Sequence, residues 1–144
     1  MEPWVVAARE EIRDVVVRYN ANGDTGRFAQ VIELFADDAV MDLGDGRLFS
    51  GKDEIITIFT GARDGWSHEQ TTYLRHMTAT HQIDVIDEAH ATGRCYFQVL
   101  TAVGLDHWGR YVDEYKTVDG RWRFARRRVH IDGTSPHSLL AREG

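Results

Sequence analysis

Tyr19, Asp24 and His76 are the residues whose types suit proton chemistry at carbon. A histidine that donates one ring N–H to a carboxylate is held in one tautomer, and its other ring nitrogen is left to take a proton. Beside a carbon next to a leaving group, such a pair can start a β-elimination. A tyrosine hydroxyl can donate a hydrogen bond to the oxygen on which charge then develops. The same residues also have plainer readings. Asp24 after Gly23 is a favoured helix cap, and His76 can be a core histidine bonded to a backbone carbonyl. The elements that carry these residues decide between the readings.

Residues 3–22 read as a helix, because Val5, Ala8, Ile12, Val15, Val16 and Tyr19 form one apolar stripe. Gly23 is expected to end it, and Asp24 or Thr25 to cap a second helix carrying Phe28, Val31, Ile32 and Phe35. Strands are expected at 39–43 and 47–49 around Asp45-Gly46, a pair that tolerates the positive φ of a tight hairpin. Ser50 and Asp53 resemble a capping box for a third helix with Ile55, Ile58 and Phe59 inward and Gly61 at its end. Residues 62–70 read as a loop. Strands follow at 71–85, 89–103, 110–117 and 121–131, the last two joined by Asp119-Gly120. Helices gathered early and strands late predict an α+β fold, three helices on a mostly antiparallel sheet of about six strands. A bent sheet of this kind leaves a pocket at its open end. Tyr19 and Asp24 at the end of the first helix, and His76 on the strand 71–85, would meet there. Tyr111, Met41 and Val129 are expected to contact a substrate. In Arg126-Arg127-Arg128, Arg127 is expected to face the pocket, with Arg126 and Arg128 exposed or paired to acids such as Asp113.

The bulk numbers bound the rest. A chain of 144 residues with 42% hydrophobic and 28% charged residues suits one globular domain spanning 1–144. The net charge of −6 argues against a nucleic-acid partner, which phosphate contacts would favour with a basic surplus. Cys95 is the only cysteine, so an intrachain disulfide and a Cys-based zinc site are excluded. No signal-peptide core and no apolar run of membrane length occur, and a cytoplasmic location is expected. His76 and His81, five apart on a strand, would face opposite sides, so no metal site is expected. No phosphate loop, dinucleotide fingerprint or nucleophile elbow implies a cofactor. Asp24-Thr25-Gly26 spells an aspartic-protease signature, but helical periodicity on both sides gives it the wrong setting. A homodimer or homotrimer is expected, because the face of the sheet opposite the helices needs cover. Trp108, Trp122, Tyr96, Gln98 and Leu100 could supply it.

In element order the sequence resembles the SnoaL-like branch of the nuclear-transport-factor-2-like superfamily, whose fold is cone-shaped and cystatin-like. The stretches that carry the resemblance are Arg18-Tyr19 with Asp24, Leu34 through Val40, Phe49 through Ile55, Arg75-His76, Gly109 through Asp113, and Asp119 through Phe124 with Arg127. They span about residues 10–132. The superfamily holds dehydratases, a dehydrochlorinase, isomerases, cyclases, epoxide hydrolases and non-enzymatic modules, so fold alone does not give function. The resemblance implies that Asp24 and His76 form the catalytic dyad of its dehydratases and dehydrochlorinase, and that Tyr19 matches a catalytic tyrosine of the bile-acid dehydratases. It also implies that Arg127 matches a pocket arginine that would bind an anionic or carbonyl end of the substrate. The chain departs from the family in places. The dehydrochlorinase has a lysine in place of Tyr19. The second pocket histidine of fungal scytalone dehydratase has no counterpart among Tyr96, Gln98, Leu100 and Thr101. The expectation is a cofactor-independent lyase on a small hydroxylated or cyclic ketone-like substrate. An isomerase or cyclase with the same dyad, and a non-catalytic binding module, are its alternatives.

Overall fold

Six strands form a single sheet in the order β2-β1-β6-β5-β4-β3, with three helices packed on its concave side, in a computed structural model that describes residues 1–65 and 73–140. The helices are α1 (Pro3–Asp24), α2 (Phe28–Ile32) and α3 (Lys52–Gly65). The strands are β1 (Phe35–Asp42), β2 (Leu48–Ser50), β3 (Arg75–Val85), β4 (His90–Thr101), β5 (Gly104–Val118) and β6 (Arg121–Thr134). Neighbouring strands are antiparallel except β1 and β6, which are parallel. The fold is therefore α+β with a curved, mostly antiparallel sheet.

The stripe on α1 buries Ala8, Ile12, Val15, Val16 and Tyr19 against the sheet. Gly23 does not end this helix. The glycine that takes positive φ is Gly26, at 76°, so the chain stays helical through Asp24 and turns afterwards. Asp24 caps nothing in α2, and its carboxylate is spent elsewhere. The second helix is also shorter than its periodicity suggests. Phe35 begins β1 instead of ending α2, because it pairs across the sheet with Phe124, ring centroids 5.0 Å apart, and is wholly buried there. A phenylalanine at helical spacing served equally well as the first inward residue of a strand.

The hairpin at Asp45-Gly46 forms, with Gly44 and Gly46 both at positive φ. At the start of α3 the reciprocal contact comes from Glu54, which accepts the Ser50 backbone N–H at 3.1 Å, and not from Asp53. This helix runs past Gly61 to Gly65, so residues 62–65 are helical; the loop expected at 66–70 lies outside the described residues. Likewise Thr71 and Thr72 of the expected strand 71–85 lie outside them, and β3 begins at Arg75. Asp119 and Gly120 take φ of 51° and 77° in the last hairpin.

Two differences bear on the site. First, β5 starts at Gly104, six residues before the sequence pattern suggests, and pairs at once with Leu100 and Thr101 through a tight turn. Gly104 at φ 91° permits that turn. Second, β3 carries a bulge between Ala79 and Gln82, where Thr80 sits at φ 54°. One extra residue flips the alternation, so His81 faces inward as His76 does. Its Nε2 lies 3.3 Å from the Tyr115 hydroxyl in the core. Simple alternation, which set the two histidines on opposite faces, fails at that bulge.

The narrow end of the concave side is filled by Ile12, Val16, Phe35, Tyr115, Trp122 and Phe124. Trp122 is therefore core and not part of an outer face. On the convex side Tyr96 is 59% and Trp108 37% exposed. Among the described residues no helix is long and apolar enough to cross a membrane.

Candidate active site

The wide end is hollow. A cavity of about 440 Å³ opens between the last turn of α1, α3 and the inner face of the sheet, within the size range of small-molecule sites. Its walls are largely apolar: Phe28, Phe59, Phe97, Met41, Leu43 and Val129 are among them. Tyr19, Asn20, Asp24, His76, His107 and Tyr111 supply its polar groups.

Asp24 and His76 come from distant parts of the sequence and meet at two points. The Asp24 carboxylate lies with Oδ1 2.6 Å from the His76 ring Nδ1, and its Oδ2 accepts the His76 backbone N–H at 2.8 Å. An ionised carboxylate can only accept, so Nδ1 carries the proton and Nε2 keeps its lone pair. The backbone bond fixes where the strand sits, and the ring bond fixes how the imidazole is turned. The Asp24 side chain is only 7% exposed. A carboxylate in the last turn of a helix also opposes the helix dipole, which costs about 0.3–1 kcal/mol. A local rule broken in this way is expected where a residue serves a site.

Tyr19 reaches the same cavity from the apolar stripe of α1, packed between Phe35, Phe59, Tyr111 and Phe124. Burial pushes its hydroxyl above the ordinary phenol range, and the nearby Arg127 only partly offsets this. It is a neutral donor, not a base. Tyr111 stacks on Phe97 with centroids 4.4 Å apart, and burial raises its hydroxyl well above the phenol value too.

Arg127 faces inward, as expected, but does not reach the cavity. Its side chain is 0% exposed and does not line the cavity; it lies behind Tyr19 and Tyr111, its guanidinium carbon 4.3 and 3.6 Å from their ring centroids. Nε donates to Asp113 Oδ1 at 3.0 Å, while Asp113 also accepts from the Tyr115 hydroxyl at 2.8 Å. The pairing follows from register: Asp113 and Arg127 stand opposite each other on β5 and β6, both pointing inward. The guanidinium cannot reach a substrate and instead forms the support under the two tyrosine rings. Arg127 thus takes Asp113, the acid expected for its neighbours, and Arg126 and Arg128 lie 3.1 and 3.6 Å from Asp42 instead. Met41, Val129 and Tyr111 do line the cavity, and Asp113 does not.

His107, like Asn20, is a cavity residue that sequence reasoning missed. Its ring stands 6.4 Å from that of His76, centroid to centroid, with Nδ1 2.8 Å from Asp106 Oδ1. Asp106 is fully buried and also accepts from Thr101 Oγ1 at 3.0 Å, Ser138 Oγ at 2.6 Å and the Leu139 backbone N–H at 3.1 Å. Burial works to raise its pKa, but the bonds from Ser138, His107, Leu139 and Thr101 outweigh it and hold the carboxylate below its usual range. Through Asp106 the segment after β6 is tied back to the β4–β5 turn, which sets Leu140 in the cavity wall. The only signal in sequence was the Asp-His pair after Gly104, and it was legible only once β5 was extended to include it.

This fold has a family. A model of the SnoaL-like domain matches residues 4–128. The chain belongs to the SnoaL-like domain family. Among solved structures similar to it is a Novosphingobium aromaticivorans protein provisionally named a scytalone dehydratase, with a TM-score of 0.82 and 18% identity over 96% of this chain and 93% of that one. A hexachlorocyclohexane dehydrochlorinase from Novosphingobium barchaimii gives a TM-score of 0.77 at 15% identity over 94% of both chains. A Mycobacterium tuberculosis protein of unknown function gives 0.76 at 26% identity over 92% of this chain and 77% of that one. No curated protein sequence matches. Among the described residues no cluster of His, Cys, Asp and Glu is arranged to hold a metal ion.

Proposed function

We propose that this SnoaL-like protein is a cofactor-independent lyase of the dehydratase type, acting on a small hydroxylated or cyclic ketone-like substrate. The observation that carries the reading is the pair of hydrogen bonds that Asp24 accepts from His76, at 2.6 and 2.8 Å, beside a cavity that Tyr19 also lines. Similarity to a dehydrochlorinase and to a protein named for a dehydration supports an elimination over other uses of the fold.

His76 Nε2 takes the proton from the carbon next to the substrate carbonyl. The electron pair of that C–H bond becomes the new C=C bond as the C–O bond to the β-hydroxyl breaks. The imidazolium returns its proton to the departing hydroxide, so water leaves and His76 ends neutral. Asp24 keeps the ring in the Nδ1–H tautomer throughout and stabilises the imidazolium between the two transfers. Tyr19, a neutral phenol, donates to the carbonyl oxygen as enolate charge builds. Met41, Val129 and Tyr111 form walls that hold the ring of the substrate. Electrons balance within the substrate, and no redox partner enters.

The test is a panel of cyclic β-hydroxy ketones, followed by the ultraviolet absorbance of the enone formed. The wild type is expected to release water and enone. His76→Ala is expected to lower kcat/KM by about 10²–10⁴-fold, and Asp24→Asn to fall in the same range because the amide no longer enforces the tautomer. Full turnover by His76→Ala would end the assignment. Conversion to an isomer or cyclised product without loss of water would transfer the same dyad to an isomerase or cyclase. Tight binding with no conversion would leave a binding module.

A further inference from the structure

Asn20 sits beside Tyr19 and one helical turn before Asp24, so it shares the face of α1 that presents the dyad carboxylate. It lines the cavity and is only 8% exposed. Its Oδ1 has no hydrogen-bond partner among the described residues. Native proteins keep few buried polar atoms unsatisfied, and each that persists calls for an explanation. A helix interior gives none, since asparagine is a poor helix former and the stripe of α1 is otherwise aliphatic or aromatic at its buried positions. A polar side chain set into that stripe, beside a hollow, is explained by a ligand group that completes its bonding.

The charge around the cavity limits what that ligand can be. No lysine or arginine lines it among the described residues. The nearest buried guanidinium, Arg127, is sealed behind two tyrosine rings and held by Asp113. The Asp24 carboxylate is engaged by His76. An anionic group entering this space would lose its hydration without gaining a fixed cation. An uncharged ring system meets the phenylalanine walls at no such cost.

We propose that Asn20 is a specificity-determining residue that reads a hydroxyl on an uncharged, largely apolar ring ligand held in this cavity. The inference rests on the reading of the cavity as the substrate site, and it adds the group that is recognised and the residue that recognises it. A carboxamide offers an acceptor oxygen and a donor NH₂, and a hydroxyl is the small neutral group that can answer either, as donor or acceptor. An ether or a ketone can only accept, so it leaves the Asn20 oxygen unpaired.

Isothermal titration with four probes of one shape tests this: para-phenylphenol, para-methoxybiphenyl, para-methylbiphenyl and biphenyl-para-carboxylate. None has a leaving group, so the readout is independent of turnover. The wild type is expected to bind the phenol about 5–10-fold more tightly than the methoxy and methyl probes, the size of one buried neutral hydrogen bond, and the carboxylate most weakly. Asn20→Leu, close in volume, is expected to abolish the preference while binding para-methylbiphenyl within about twofold of wild type. The comparison among probes on the wild type needs no variant, and circular dichroism checks that Asn20→Leu is folded. The proposal is overturned if the wild type shows no preference for the phenol, if Asn20→Leu keeps that preference, if the carboxylate binds tightest, or if no uncharged probe binds. His76→Ala separates this inference from the lyase reading. If the preference survives in Asn20→Leu and disappears in His76→Ala, the dyad reads the hydroxyl and the role of Asn20 falls while the lyase stands. If it disappears in Asn20→Leu and His76→Ala turns over normally, the lyase falls and Asn20 stands.

Discussion

Asp113→Asn tests the idea that the support beneath the cavity's two tyrosines is an ion pair. The substitution keeps shape and an oxygen for the Tyr115 hydroxyl, but it removes the charge opposite Arg127. Both side chains are 0% exposed and the closest N–O distance is 3.0 Å. At an effective dielectric near 20, that separation corresponds to an attraction of about 5 kcal/mol. The cost of desolvating the guanidinium is already incurred in the folded state, where the side chain is 0% exposed. Burial opposes the charge of Arg127, yet Asp113 together with Tyr111, Tyr19 and Tyr115 outweighs burial and keeps the arginine firmly protonated. Without Asp113 the fold must therefore carry an unpaired buried cation, at about 3–5 kcal/mol. That is a large share of the roughly 5–15 kcal/mol that holds a domain together. Equilibrium unfolding in urea is the assay, and with a slope near 2 kcal/mol/M the midpoint should fall by about 2 M. The paired replacement Arg127→Met with Asp113→Leu removes both charges and should recover most of the loss. A loss below about 1 kcal/mol for Asp113→Asn, or a double variant worse than the single one, would refute the reasoning.

Two further outcomes follow from the same geometry. Tyr19→Phe keeps the ring against Phe59, Tyr111 and Phe124, so its stability should stay within about 1 kcal/mol of wild type. Its turnover of a β-hydroxy ketone should nevertheless fall by about 10–10³-fold, and unchanged turnover would reduce Tyr19 to a wall. His81 supplies a pH-dependent outcome. Burial first, then Arg127, Arg13 and Arg9, lower its pKa from 6.5 to about 4. As pH falls below 6.5 the unfolded chain takes up a proton that the folded chain refuses, so stability drains away until about pH 4. His81→Gln lacks that proton, and its urea midpoint should fall less than wild type between about pH 7.5 and about pH 4.5. A gap that does not change with pH would contradict the half-buried, neutral histidine.

Local chemistry determined much of this protein before any tertiary contact was known. The stripe on α1, the two Asp-Gly hairpins and the run of β-branched strands follow from periodicity and turn geometry, which act over a few residues. The pairing of Asp24 with His76 was expected because the end of the first helix and an inward strand face would meet at the hollow end, and because the resemblance to the family implied a dyad at these positions. Tertiary structure decided what local pattern left open. Phe35 obeyed helical spacing but went to the sheet, since Phe124 offered burial that a longer α2 could not. A single extra residue in β3 turned His81 inward, and no composition signal announces a bulge. Arg127 faced inward as alternation required. Whether it met a substrate or a carboxylate depended on the register that set Asp113 opposite it. His107 and Asn20 carry no motif. They belong to the cavity because β5 begins early and because the last turns of α1 face a hollow, and both are consequences of packing between segments far apart in the chain.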